Sequence, residues 1–294
     1  MLSAFLSLAL LIRIVVNPLS NVYQKQLTQR SLDPLFITVV TYGLLTAAGL
    51  ALSGGDLMPA SGRFWLPMTA CAVLAVLGNV FLVRALRVGD LSVLGPINAY
   101  KSVVSLIFGI IILDEMPGGW GLLGIGFIVA GSYFVLSVPA SPDGFTRQAS
   151  GQKGLLFRLL ALVCSAIDGV FLKKALLFSN PRQAFFYWCL FGFLLSGLWL
   201  ILSSHKNRLG RQWELAARNV RTVFLLAGCV GLMQLSTNWV LERMPVSYAL
   251  ALFQLSVLLS VLFGYRFFGE TNVRRKLLGA GIMIIGAVLI ILLG

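Results

Sequence analysis

The chain has 294 residues, of which 58% are hydrophobic and only 11% charged, with a mean hydropathy of +0.91 and a formal net charge of +13. A soluble globular protein carries about 25% charged residues, so this composition excludes an ordinary soluble enzyme, a disordered chain and a secreted disulfide scaffold. It fits a protein solvated mostly by lipid.

A membrane-spanning helix needs about 20 apolar residues, because each residue rises about 1.5 Å and the hydrocarbon is about 30 Å thick. Ten such runs are expected, near 2–22, 35–53, 64–83, 91–113, 119–138, 155–172, 184–202, 222–241, 246–265 and 277–293. They are long and continuously apolar, unlike alternating barrel strands. The expected organisation is a first five-helix unit at 1–138, a linker at 139–154 and a second unit at 155–294, with a further polar stretch at 203–221. The first span lacks a basic lead-in and a small-x-small cleavage site, which argues against a cleaved signal peptide. Cys71, Cys164, Cys189 and Cys229 all fall inside spans without metal-ligand spacing and read as small packing residues.

The basic side chains lie mostly between spans. Sixteen fall in loops after odd-numbered spans, Arg158 and Lys25 among them, and five in loops after even-numbered ones; Arg13 and Lys101 lie within spans. The positive-inside rule then places the odd loops in the cytoplasm and both termini outside. It also accounts for the net charge without nucleic acid, for which no binding motif is present.

Residues 92–131 and 247–286 align without gaps at an offset of 155, sharing Ser92/Ser247, Ser105/Ser260, Phe108-Gly109/Phe263-Gly264, Glu115/Glu270 and three matched glycine positions. The segment Ser20–Lys25 resembles Asp168–Lys173 at an offset of 148. Each unit thus has five spans. Five is odd, so the second unit enters the membrane from the opposite side. The expected fold is an all-α integral membrane protein of ten helices arranged as two inverted repeats, an arrangement used by many secondary transporters.

The sequence Ala85-Leu86-Arg87-Val88-Gly89-Asp90-Leu91-Ser92-Val93-Leu94-Gly95-Pro96-Ile97, the ending Leu113-Asp114-Glu115, and their counterparts Glu242-Arg243-Met244-Pro245-Val246-Ser247-Tyr248-Ala249 and Gly269-Glu270 resemble the drug/metabolite transporter superfamily, specifically a pair of EamA-type domains. The resemblance covers nearly the whole chain. It implies a ten-helix carrier of small metabolites with a central cavity between the halves, commonly an exporter of amino acids or related compounds in the cell (inner) membrane. The family is usually drawn with both termini in the cytoplasm, the reverse of the charge count.

Polar groups within spans are costly and normally face a cavity or a partner. Arg13, Asn17, Ser20, Asn21 and Gln24 share one face of the first span. Asn98, Lys101, Ser102 and Ser105 form a stripe on the fourth, with Pro96 near its start as a candidate kink. Asp168 is the one acid deep in a span. It reads equally as a structural partner of Lys101 or as a titrating group that couples protons. Asn79, Gln234, Asn238, Tyr248 and Gln254 complete the candidate lining, against an alternative in which they join helices. Tyr187, Trp188, Trp199 and Trp239 read equally as packing or interface residues and as binding ones. Two cations against one acid predict a substrate with an anionic group. The glycines of spans five and ten read as packing surfaces.

No GxxxxGK[ST], HExxH or Gly-x-Ser-x-Gly pattern is present, and the one histidine, His205, lies in a basic loop. No cofactor or metal and no enzymatic activity are therefore expected. The expected partners are the bilayer, a small metabolite and protons as the candidate coupling ion, with monomer and homodimer both open. The rival readings are a membrane-embedded enzyme on lipid-linked substrates, which requires clustered acids or histidines at an interface, and a non-transporting assembly subunit.

Overall fold

A computed structural model describes residues 4–59, 61–88, 100–136, 148–203, 209–268 and 273–293. Regular structure among them is helical throughout: α1 (Ala4–Gln29), α2 (Pro34–Leu52), α3 (Trp65–Val88, entered by a 3-10 turn Gly62–Phe64), α4 (Tyr100–Leu113), α5 (Gly119–Leu136), α6 (Gln148–Leu176), α7 (Pro181–Leu202), α8 (Leu209–Arg218), α9 (Val220–Arg243), α10 (Val246–Leu252), a 3-10 turn Phe253–Leu255, α11 (Ser256–Phe268) and α12 (Val273–Leu293). Among the described residues, seven segments are long and apolar enough to cross a membrane: α1, α2, α3 with its lead-in turn, Gly154–Leu176 of α6, α7, α9, and the run Val246–Phe267. Three shorter apolar helices lie at Tyr100–Leu113, Gly119–Gly131 and Leu277–Ile290. The protein is thus a multi-pass helical membrane protein. Pro96 and Asn98 fall outside the described residues.

Two polar segments carry helix. Helix α6 begins at Gln148, inside the stretch expected to be a linker, and the stretch 203–221 contains α8. Helix α8 buries Gln212 and Ala216, and its Gln212 Oε1 accepts from the Asp33 N–H at 2.8 Å. Lys25 and Arg158, counted above as loop cations, are buried within α1 and α6. Arg158 lies on the face of α6 that carries Ser165 and Asp168, and Lys25 lies in the last turns of α1, past its apolar run.

The second helix of each half starts alike. Asp33 Oδ1 accepts from the Leu35 N–H at 2.9 Å with Pro34 in the first turn, and Asn180 Oδ1 accepts from the Gln183 N–H at 2.9 Å with Pro181 in the first turn. A side-chain acceptor satisfies orphan N–H groups, and proline fits where no N–H is needed. On α1 the apolar residues Leu8, Leu11 and Val15 are exposed, while Arg13, Ser20, Asn21 and Gln24 are buried. In lipid this inverts the soluble pattern, with apolar groups outward and polar groups in.

The principal packings are α3 with α6, α1 with α9, α2 with α7, α5 with α12, α4 with α6 and α1 with α11. Let each helix of the first half stand for its counterpart in the second. The exchange turns α1–α9 into α6–α3 and α4–α6 into α11–α1, and it returns α2–α7 and α5–α12 to themselves.

Contacts fix the direction of these self-paired helices. Gly124, early in α5, lies against the carbonyl of Gly286, late in α12, and Gly131, late in α5, against that of Gly279, early in α12. Gly49, late in α2, meets Phe185, early in α7, while Tyr42 meets Gly192. Counterpart helices therefore run antiparallel. Small residues let such backbones approach where lipid supplies no hydrophobic drive between helices.

Candidate functional site

A cavity of about 140 Å³ lies between the two halves. Its wall is drawn from α1, α2, α3, α4, α6, α7, α9, α10, the 3-10 turn and α11; among the described residues, α5 and α12 contribute nothing. From the first half come Arg13, Asn17, Ser20, Asn21 and Gln24 of α1, Thr41 and Tyr42 of α2, Ala75, Gly78, Asn79 and Leu82 of α3, and Lys101 of α4. From the second come Arg158, Ala161, Ser165, Asp168, Gly169 and Leu172 of α6, Trp188 of α7, Val230, Met233, Gln234 and Thr237 of α9, and Leu250 of α10, with Phe253, Gln254 and Ser256.

These residues pair off. At the offset of 148, the five α1 positions become Ala161, Ser165, Asp168, Gly169 and Leu172, and all ten border the cavity. At 155, Ala75, Gly78, Asn79, Leu82 and Lys101 become Val230, Met233, Gln234, Thr237 and Ser256, and again all ten do. Place is shared but chemistry is not: Arg13 is matched by Ala161, Asp168 by Ser20, and Lys101 by Ser256.

Arg13 is 8% exposed. Its Nε donates to Thr237 Oγ1 at 2.8 Å, its guanidinium stacks over Phe253 at 4.7 Å, and its Nη1 has no partner. Pro18 interrupts the α1 hydrogen-bond ladder one turn beyond. Asn17 Nδ2 donates to Ser256 Oγ at 3.1 Å, joining the halves. Gln24 Nε2 donates to Asn79 Oδ1 at 3.1 Å, and Asn79 Nδ2 donates to Thr38 Oγ1 at 2.9 Å.

Asp168 Oδ1 accepts from the Cys71 thiol at 2.8 Å. The reading of Cys71 as a packing residue is therefore corrected, because it is a donor to the cavity's carboxylate. Lys101 lies within electrostatic reach of Asp168, Arg13 and Arg158. Gln254 sits in the 3-10 turn that breaks the ninth apolar run at the level of the cavity, and its Nε2 donates to the Leu250 carbonyl at 2.9 Å. A mid-helix 3-10 turn often marks a hinge.

Of the residues expected from sequence, Arg13, Asn17, Asn21, Asn79, Lys101, Asp168, Gln234 and Gln254 border the cavity. Asn238 does not. Its Nδ2 donates to the Pro181 carbonyl at 3.0 Å and its Oδ1 accepts from Gln234, so it joins α9 to α7. Nor does Tyr248, whose hydroxyl accepts from the Gly118 N–H at 2.9 Å at the turn between α4 and α5. Asn98 lies outside the described residues.

Sequence reading missed Arg158, Tyr42, Thr237 and Phe253 and left Trp188 open between packing and binding. Arg158 had a signal: it lies on the same helical face as Ser165 and Asp168. Phe253 and Trp188 carried none, since an aromatic in a span is equally suited to packing.

A multi-pass helical bundle around a cavity walled by Arg13, Lys101, Arg158 and Asp168 defines the class of polytopic membrane proteins with a charged central cavity. The family comparison agrees with that class. The model of the EamA-like transporter family matches residues 6–137 and again 152–292, and the chain belongs to that family. Among solved structures, 28 chains match. One, described only as the crystal structure of a protein, is 18% identical with a TM-score of 0.67 and covers 96% of each chain. That likeness concerns the fold. No curated protein matches the chain.

Proposed function

We propose that this protein is a secondary active transporter of small polar metabolites bearing an anionic group, working by alternating access between two inverted five-helix halves. The single observation that carries the reading is the exchange-equivalent wall. Ten pairs of matched positions, one from each half, surround one cavity, and counterpart helices run antiparallel. Two such halves can trade conformations, which moves the opening from one face of the membrane to the other.

One closed end supports the same mechanism. At the turn between α4 and α5, Glu115 Oε2 accepts from the Val246 N–H at the start of α10 at 2.7 Å, and Lys174 Nζ donates to the Ile112 carbonyl at 3.4 Å. With the Tyr248–Gly118 bond, these tie the halves together at the end of the bundle that holds the α9–α10 junction. Lys173 Nζ donates to the Leu241 and Met244 carbonyls beside them. The cavity extends the other way, from Arg13 to Gln24, about 16 Å along α1. Repeat matching gives Glu115 a counterpart in Glu270 and Lys173 one in Lys25.

Arg13, Lys101 and Arg158 against Asp168 leave an excess of positive charge at the cavity wall, which an anionic substrate offsets while its carboxylate or phosphate takes charge-assisted bonds. Export, with the proton as coupling ion and both termini outside the cell membrane, completes the reading. Flux of a metabolite panel in proteoliposomes, with and without a pH gradient, tests it. The expected result is turnover of an anionic metabolite without chemical change, lost in Arg13→Ala and Lys101→Ala. Unchanged kinetics in both variants would overturn it.

A further inference from the structure

The end of the bundle that carries the α1–α2 turn also carries α8, a helix that contributes nothing to the cavity wall. Its inner side is pinned to the first half. Gln212 Oε1 accepts from the Asp33 N–H at 2.8 Å, and Gln212 Nε2 donates to the Ser31 carbonyl at 3.4 Å. Ala216 packs with Leu27, Leu32 and Phe36, and the Trp213 ring meets Phe36 edge-on at 5.2 Å. Just past the helix, Arg30 Nη1 donates to Asn219 Oδ1. A second-half helix is thereby fixed across a first-half turn.

The outer side is charged. Arg211, Glu214 and Arg218 recur at i, i+3 and i+7 on one exposed face, where Glu214 pairs with Arg218. Arg221 follows two residues after Asn219, and Arg30 is held at Asn219; both are exposed. Four arginines therefore stand against one exposed acid among the described residues of this patch, since the Asp33 carboxylate caps α2. The patch borders apolar surface. Val220, Phe224 and Leu225 are exposed from the start of α9, and Trp213, 58% exposed, sits level with the first turn of α2, where the second apolar run begins. Tryptophan collects at the depth of lipid headgroups, and an amphipathic helix with a basic face and a tryptophan lies in that plane. The positive-inside rule counts arginines in any conformation. It does not call for a helix locked in place by a buried glutamine.

We infer that α8 is an interfacial helix whose outer face binds the headgroups of anionic phospholipids, with Trp213 at the headgroup level and Arg30, Arg211, Arg218 and Arg221 supplying the charge. A phosphodiester accepts charge-assisted bonds from guanidinium groups, and the acyl chains lie against Val220, Phe224 and Leu225. A soluble polyanion would match the arginines but leave the tryptophan and the apolar border unused. Arg30 belongs to the first half and α8 to the second, so bound headgroups hold both halves at this end. The surface stands apart from the cavity and does not depend on what the cavity carries.

The purified full chain in nonionic detergent is titrated with phosphatidylglycerol, phosphatidylcholine or inorganic phosphate while its melting temperature is followed, since a ligand of the folded state raises it. Phosphatidylglycerol is expected to raise it well before phosphatidylcholine, less so at high salt, and inorganic phosphate to leave it unchanged. Arg211→Gln combined with Arg221→Gln keeps the bonds of Arg30 and Arg218. This double variant is expected to melt with the wild type without lipid and to need about 25-fold more phosphatidylglycerol for the same rise, about fivefold per arginine. A second measurement needs no arginine variant. In phosphatidylcholine vesicles containing brominated phosphatidylglycerol or brominated phosphatidylcholine, the tryptophan emission that Trp213→Phe removes is expected to be quenched more by the anionic lipid. Equal melting shifts from the two lipids, an unchanged phosphatidylglycerol response in the double variant, or equal quenching by the two brominated lipids would each overturn the inference. A rise with inorganic phosphate equal to that with phosphatidylglycerol would assign the arginines to a soluble anion and overturn the lipid surface.

Discussion

Replacing Glu115 should release the closed end of the bundle. Its carboxylate accepts from the Val246 N–H at 2.7 Å, at the first turn of α10, where orphan backbone donors and the helix dipole favour a negative group. Hydrogen bonds to charged groups contribute about 1.5–3 kcal/mol and neutral ones about 0.5–1.5. Glu115→Gln keeps an acceptor and loses about 1 kcal/mol, roughly a fivefold shift toward the form open at that end. Glu115→Ala loses the whole bond, and at about 2.5 kcal/mol shifts the balance about 70-fold. Spin labels at Met116 and Leu177, both exposed at this end, would report the change by pulsed dipolar spectroscopy once the four native cysteines are replaced. The expected result is a longer distance component that is small in Glu115→Gln and dominant in Glu115→Ala. Identical distance distributions in all three proteins would show that this bond does not hold the end shut.

The remaining predictions concern packing and the cavity carboxylate. A methyl added at Gly124 meets the Gly286 carbonyl at 2.6 Å, and one at Gly131 meets the Gly279 carbonyl, so each Ala substitution should destabilise by about 1–3 kcal/mol, whereas Gly126→Ala meets nothing within 4 Å and should be neutral or slightly stabilising; thermal unfolding in detergent checks the contrast. Cys71→Ser keeps a donor to Asp168 and should melt with the wild type, while Cys71→Ala should lose about 1 kcal/mol, and equal melting of all three would refute the thiol–carboxylate bond. Asp114 holds φ at +56°, so Asp114→Gly should be tolerated and Asp114→Val should cost about 1–2 kcal/mol in the same assay.

The apolar runs were legible because lipid leaves a plain signal: every backbone polar group must be satisfied within its own helix, and the side chains around it must be apolar. What blurred the boundaries was the cavity itself. Lys25 and Arg158 look like loop residues because they are charged, yet a helix that borders a polar cavity carries charge well inside its length. The α1 face from Arg13 to Gln24 was readable from spacing alone, since five polar groups on one side of a spanning helix must turn away from lipid. Asn238 and Tyr248 were misplaced for the opposite reason. A polar group in a span needs some partner, and sequence does not distinguish a cavity from the Pro181 carbonyl or the Gly118 N–H. Cys71 was missed because a thiol packs as a small hydrophobe unless a carboxylate lies opposite.

The mismatch between the shared wall and the unshared chemistry constrains how such a carrier works. Were the charges duplicated, with an arginine at 161 to match Arg13 and an acid at 20 to match Asp168, exchange of the halves would present the substrate with two interchangeable seats. They are not duplicated. Arg13 stacks on Phe253 and bonds Thr237, both second-half residues, while Lys101 of the first half faces Asp168 of the second. The bond from Arg13 to Thr237, its stacking on Phe253 and the bond from Cys71 to Asp168 therefore cross the boundary along which the halves would move under the proposed mechanism. A ligand shifts a conformational equilibrium only through differential affinity for its states, and contacts that cross the moving boundary are the ones whose lengths differ between states. Under the proposed mechanism, in which the substrate would stay with Arg13 while the second half re-forms around it, Thr237→Val, which removes the hydroxyl bonded to Arg13 Nε, is expected to alter transport rate more than ligand affinity. Equal losses in both, measured by flux and by calorimetry on the same variant, would place Thr237 in ground-state binding and leave the boundary-crossing contacts without that role.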